Sequence, residues 1–196
     1  MRVIARITGL LLGTTLAAMG QATPGTPVVA GDAALTYHWI HSNTQPGDCG
    51  CFYLNGGGIS GSWNLRSQLA MVAEISGEVA TNGPSTGNSL TLTSYLAGAR
   101  FILPQLRRRT SHSLQPFAQL LVGAAHAGGG IAGAGDNTTA FATHIGGGID
   151  LLFGSRFAVR IAQADYDLTE FANSTNNHQN NLLLSAGVVY RWSQKR

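Results

Sequence analysis

Near the end of the chain the segment NLLLSAGVVYRW, Asn181 to Trp192, alternates without a break. Successive side chains of a β-strand point to opposite faces. Leu182, Leu184, Ala186, Val188, Tyr190 and Trp192 therefore share one side, and Asn181, Leu183, Ser185, Gly187, Val189 and Arg191 the other. The first face is apolar and ends in two aromatics, whereas the second is small or polar and ends in a cation. The pattern demands a two-faced strand but leaves open which face is buried, because a soluble barrel would turn the apolar face inward.

The rest of the chain narrows the choice. Arg2 and Arg6 precede an apolar run, Ile7 to Met19, that gives way to Gly20-Gln21-Ala22. This is the form of a secretory signal peptide over residues 1–22, with cleavage after Ala22 favoured and Gly20 as the alternative. A Pro/Gly-rich leader, residues 23–31 (TPGTPVVAG), follows, and residues 32–196 make one domain with no internal linker. No later segment approaches the roughly 18 apolar residues of a membrane-spanning helix, so a soluble exported protein or a β-barrel remains. Charged residues make up 11% of the 196, against about 25% in an ordinary soluble domain. A surface that poor in charge suits lipid better than water. The formal net charge of +3 draws on Arg2, Arg6 and Arg107 to Arg109, and does not point to nucleic acid.

Extended runs at roughly 33–43, 56–65, 67–81, 89–103, 115–128, 140–153, 157–170 and 180–192 predict eight strands. Tight turns are expected near Asn64-Leu65-Arg66 and at Gly154-Ser155-Arg156. Longer polar loops are expected at Thr44 to Asn55, Asn82 to Asn88, Gly129 to Thr139 and Phe171 to Gln179. Short turns on one side, long loops on the other and strands of about ten residues fit an up-and-down barrel crossing a bilayer at a tilt. Pro104 to Leu114, with its three arginines, is the one long connection on the short-turn side. Interfacial aromatics are expected at both levels. Trp63, Phe101, Phe117, Phe153, Phe157, Tyr190 and Trp192 fall at the turn end, and Tyr37, Trp39, Phe141, Tyr166 and Phe171 toward the loops.

The segments AGARF (97–101), PFAQLLVGAAHA (116–127), GGGIDLLF (146–153), RFAVRIAQADYDLTEF (156–171) and LLLSAGVVYRW (182–192), in this order and spacing, resemble the small eight-stranded outer-membrane β-barrel family that includes OmpA-like transmembrane domains. The resemblance covers about Asp32 to Trp192. It implies an all-β, antiparallel, up-and-down transmembrane barrel in the outer membrane of a diderm bacterium. It also implies insertion by the barrel assembly machinery through an aromatic-ended last strand, although Ser193 to Arg196 follow Trp192 here. No peptidoglycan-binding domain follows, so no cell-wall tether is expected.

With apolar faces outward, Glu74, Glu78, Arg100, Asp150, Arg160 and Arg191 face the lumen, three acids against three bases. Eight strands leave an interior just wide enough for side chains. Their expected role is a structural salt-bridge network that plugs the barrel. In the seventh strand the alternation slips after Ile161, and a β-bulge near Ala162-Gln163 would restore it. Asp165 and Asp167 then read as polar lining near the outer rim, two carboxylates being too few ligands for a cation site.

Cys49 and Cys51, a C-x-C in the first long loop, fit a small-ring disulfide or a thiol pair better than a metal site. A metal would need His38 and His41, which face opposite ways on a continuous strand. His112, beside Ser111 and Ser113, and the lumen-facing His144 are the candidates for catalysis. Neither is paired with a serine and an acid on an outward face, as an outer-membrane lipid deacylase or acyltransferase would require. Asn137-Thr138-Thr139 and Asn173-Ser174-Thr175 read as solvated loop residues.

The expected function is therefore that of a monomeric, non-enzymatic outer-membrane barrel acting through its extracellular loops. Outer-membrane lipid, including lipopolysaccharide, is its expected surrounding, with no cofactor and no metal. A lipid-modifying enzyme is the second reading. A soluble lipocalin-like barrel is the third, and it requires Leu182, Val188 and Trp192 inside.

Overall fold

The computed structural model describes residues 28–42, 52–80, 90–107, 113–128, 137–172 and 177–194. The proposed signal peptide, most of the leader, Cys49, Cys51, Arg108, Arg109, Ser111, His112 and Asn173-Ser174-Thr175 lie outside these residues. Eight long strands form one closed antiparallel sheet: β1 (Val28–Ser42), β2 (Phe52–Arg66), β3 (Leu69–Ala80), β4 (Leu90–Ile102), β5 (Ser113–Gly128), β6 (Asn137–Phe153), β7 (Phe157–Thr169) and β8 (Gln179–Gln194). Each strand pairs with the next, and β1 closes the barrel against β8, with Leu35 opposite Val188 and Thr36 opposite Gly187. The two-residue segment Leu106–Arg107 pairs with Leu114 and Ser113 and extends the β4–β5 hairpin on the turn side.

Strand ends differ from expectation where the alternation continues into turn-like composition. β2 begins at Phe52 because Phe52 and Leu54 turn inward while Tyr53 and Asn55 turn outward. Those four residues pair with Ser42 back to Trp39, which shortens the first loop. The β2–β3 turn falls at Ser67-Gln68 rather than at Asn64-Leu65-Arg66, since the ladder survives a register shift between Asn64 and Arg66. The β6–β7 turn does hold at Gly154, whose φ of 67° is left-handed and suits a residue without Cβ.

The side-chain pattern decides the environment. Ile59 is 64% exposed, Leu35 59%, Met71 59% and Val188 58%, all on the outer wall among many other large apolar residues. An apolar exterior around a filled interior is the arrangement of a transmembrane barrel. It excludes the soluble ligand-binding reading, since Leu182 and Val188 point outward and Trp192 lies on the same face.

The interior is layered. Toward the loops Ile40, Leu54, Leu90, Leu92, Phe171 and Leu183 belong to one apolar cluster. Toward the turns Ala34, Leu152, Ala158 and Val189 form a smaller one. Asp150 and Arg160 lie on the loop side of the smaller cluster, and Asp32 and Arg191 on its turn side.

Candidate functional site: the buried lumen network

Asp150 on β6 and Arg160 on β7 meet because the β6–β7 register places them opposite each other. Arg160 Nε donates to Asp150 Oδ1 at 2.9 Å and its Nη2 to Oδ2 at 3.2 Å, a two-pronged ion pair. Arg160 Nη1 also donates to Gln163 Oε1 at 2.9 Å. Gln163 points into the lumen alongside Arg160 because the bulge in β7 turns both Ile161 and Ala162 outward. The slip in alternation is thus a backbone feature that aims two polar side chains at one carboxylate layer.

The chain of contacts continues around the barrel. Gln163 donates to Asp165 Oδ2 and Gln119 Nε2 to Asp165 Oδ1, the latter at 3.4 Å. Gln119 Oε1 in turn accepts from Arg100 Nε and Nη2 at 3.2 and 3.1 Å. Arg100 Nη1 donates to Asp32 Oδ1 at 3.2 Å. Phe117 lies between the two guanidinium groups, its ring centre 4.7 Å from Arg100 Cζ and 4.5 Å from Arg160 Cζ. Both cations thereby find a polarisable surface where water is excluded. Gly148 makes room for that ring, since a Cβ there would come 2.8 Å from Phe117 Cζ.

Nearer the loops two histidines sit among carboxylates. His144 Nδ1 lies 3.5 Å from Glu74 Oε1, and its Nε2 lies 3.4 Å from Asp167 Oδ1. Asn181 donates to Asp167 Oδ2 at 3.1 Å and accepts from the Ser42 hydroxyl at 2.6 Å. His38 Nδ1 lies 2.8 Å from Glu78 Oε1, with its Nε2 2.8 Å from Thr36 Oγ1.

Glu74, Glu78, Arg100, Asp150 and Arg160 are buried in the lumen, and Arg191 is half-buried toward the turns, within the fields of Asp32 and Asp150. The balance of three acids against three bases is corrected. Asp32, Asp165 and Asp167 join Glu74, Glu78 and Asp150, against Arg100, Arg160 and Arg191, with His38 and His144 held against carboxylates. Asp165 and Asp167, expected near the outer rim and partly solvated, are each 1% exposed. The inward alternation Gln163, Asp165, Asp167, Thr169 that follows the bulge already carried this signal. Asp32 shares a face with Ala34, Thr36 and His38, which the later strand start expected from sequence obscured.

Among the aromatics, Trp63, Phe101, Phe153, Phe157 and Tyr190 project from the outer wall at the turn end, with Phe157 and Tyr190 edge to face at 5.5 Å. Trp192 shares their face, partly exposed. Tyr37, Phe141 and Tyr166 project toward the loop end, where Tyr166 donates to Asn180. Trp39 is half-buried in a stack with Tyr53 and His41. Phe117 and Phe171, expected in these belts, instead turn inward, one between two arginines and the other in the apolar layer under the loops.

As expected, His38 faces inward and His41 outward. On the outer wall His126 Nδ1 lies 2.8 Å from Thr139 Oγ1 near the loops, a pairing the sequence did not single out. Among the described residues no carboxylate contacts His126 and no serine hydroxyl contacts His144.

By sequence, no family model and no curated protein matches the chain. By structure it is similar to Ail, the attachment invasion locus protein of Yersinia pestis, at 13% identity, over 83% of this chain and 99% of Ail, with a TM-score of 0.51. Ail has also been solved with the heparin analogue sucrose octasulfate, with the same coverage and score. Neisserial surface protein A is similar at 16% identity, over 83% of this chain and 97% of that one, with a TM-score of 0.56. The fold is that of the small eight-stranded outer-membrane β-barrels.

Proposed function

We propose that the protein is a non-enzymatic, non-conducting barrel of the bacterial outer membrane that acts through the surfaces it presents outside the bilayer. The observation that carries this reading is the filled lumen. A hydrogen-bonded chain of polar and charged side chains from Asp32 through Arg100, Gln119, Asp165, Gln163 and Arg160 to Asp150 crosses the interior, with Ile40, Leu54 and Phe171 on its loop side. An ion entering from the loop side would meet that apolar layer and then side chains hydrogen-bonded to one another, which offers no wet path. The expected location follows from the apolar wall and the fold, and the structural similarity to outer-membrane barrels supports it. The test is conductance: purified protein in planar bilayers should give no stable steps, and reproducible ion-selective steps from freshly folded protein would overturn the reading.

A further inference from the structure

The β7–β8 ladder ends on the loop side at the pair Thr169–Gln179. Two residues beyond that last rung, the side-chain amide of Gln179 bonds the backbone of Phe171. Phe171 N–H donates to Gln179 Oε1 at 2.9 Å, and Gln179 Nε2 donates to the Phe171 carbonyl at 3.0 Å. A primary amide carries the donor and acceptor of a peptide unit, so this side chain supplies one further rung. The Thr169 hydroxyl donates to the same Oε1 at 3.3 Å and orients the amide. On the other side of the segment, Glu170 N–H donates to the Phe141 carbonyl at 3.0 Å.

The added rung fixes where the Phe171 ring goes. Phe171 continues the inward set Gln163, Asp165, Asp167, Thr169 and is 5% exposed, in one apolar cluster with Ile40, Leu54 and Leu183. Among the described members of that cluster it is the one not carried by a strand. One inward step nearer the turns than Ile40 on β1 and Ala80 on β3 lie His38 and Glu78, which bond each other. Glu78 Oε2 and the adjacent inward Ser76 Oγ are buried and have no hydrogen-bond partner among the described residues. A carboxylate oxygen left so is costly while sealed from water and far less so once wetted.

We propose that Phe171 is a lid on the loop side of the lumen, latched by the Gln179 amide, and that its release admits water to His38, Ser76 and Glu78 without opening a path through the barrel. The hydrogen-bonded chain from Asp32 to Asp150 persists nearer the turns, so the opened state is a blind cup; in this the proposal rests on the non-conducting reading given above. The latch is built to let go before the strands do. Its two hydrogen bonds are neutral and are exchanged for water on release, so each contributes little net stability. The neighbouring pair His178–Glu170, 3.8 Å apart and exposed, adds little more. Residues of β7 below the latch are held by backbone ladders on both sides, and segments without such support are the first to open locally.

The experiment is nuclear magnetic resonance of the isotope-labelled full chain in detergent micelles, with two readouts: amide hydrogen exchange at Phe171, and cross-relaxation between water and the methyl groups of Ile40 and Leu183. In the wild type the Phe171 amide should exchange slowly, like the strand amide of Asp165, and the methyls should be dry. Gln179→Leu, which removes the amide and keeps a side chain of similar length, should speed exchange at Phe171 roughly tenfold or more, leave Asp165 unchanged and wet both methyls. Gln179→Glu, which keeps only an acceptor, should fall between. Phe171→Ala should wet the methyls, and Leu182→Ala, an outward residue on β8, should change neither readout. Heat-modifiable gel mobility reports folding, and if Gln179→Leu does not fold, Gln179→Glu carries the comparison. Fast exchange at Phe171 in the wild type, slow exchange there in Gln179→Leu, or dry methyls in Phe171→Ala would each overturn the proposal. In planar bilayers none of the variants should conduct. Steps from Phe171→Ala alone would overturn the blind cup, whereas steps from the wild type would overturn the non-conducting reading instead.

Discussion

Arg160 grips Asp150 with two nitrogens while its guanidinium plane lies against Phe117, which it shares with Arg100. One aromatic ring and one carboxylate therefore manage the meeting of two buried cations. In a low-dielectric interior, breaking one member of such a set leaves the others uncompensated.

Asp150→Asn should accordingly destabilise the barrel by about 3–5 kcal/mol, read as a lower urea midpoint in detergent micelles. Arg160 would keep Gln163 and the Phe117 face but lose its only direct ion pair among the described residues. A change no larger than that of an exposed surface substitution would show that the pair is not a significant part of the fold.

Phe117→Ala removes both cation–π contacts and opens space beside Gly148. The cost should be about 3–5 kcal/mol, as for other buried aromatics cut to alanine. Phe101→Ala, on the outer wall, should cost clearly less, and equal losses would place Phe117 at the membrane interface after all.

Asp165 accepts hydrogen bonds from both Gln163 and Gln119 and so joins the Arg160 half of the network to the Arg100 half. Asp165→Ala strands two buried amide donors, each worth about 1–3 kcal/mol when left unsatisfied. The same urea titration should register a loss of that order or larger; a neutral result would return Asp165 to a solvated rim.

Val188→Arg places a cation on the lipid face and should destabilise the barrel by about 2–4 kcal/mol if the site lies near the bilayer midplane. Ser185 faces the lumen, and its buried hydroxyl has no hydrogen-bond partner among the described residues. Ser185→Ala should therefore be close to neutral. Equal loss of heat-modifiable mobility in the two variants would contradict the assignment of faces.

The sequence was most legible where period two ran uninterrupted. In β8 the two faces and the inward turn of Leu183 and Val189 follow from counting. The bulge in β7 was legible as well, because only two consecutive outward residues reconcile Val159 with Ala164. What escaped was height and partnership. Alternation says that Asp165 points inward but not that an apolar layer covers it. The Phe117 ring looks in sequence like any strand-end aromatic, and its inward turn depends on the space that Gly148 leaves on the neighbouring strand. Asp32 was obscured because Pro and Gly before it read as leader, although the ladder with β8 reaches back to Val28.

The sealed, lipid-facing barrel is tested most directly at two adjacent residues, Val188 and Val189, exposed outward and buried inward respectively. A nitroxide label would be attached through a cysteine at each position in turn, with Cys49 and Cys51 replaced by serine. The protein would then be reconstituted in bilayers and probed by electron paramagnetic resonance with oxygen and with a water-soluble nickel chelate. The account predicts strong relaxation by oxygen at position 188 and little by either reagent at 189. Relaxation by the nickel chelate at position 189 would reveal a wet lumen, and relaxation by it at 188 would show that the wall faces water.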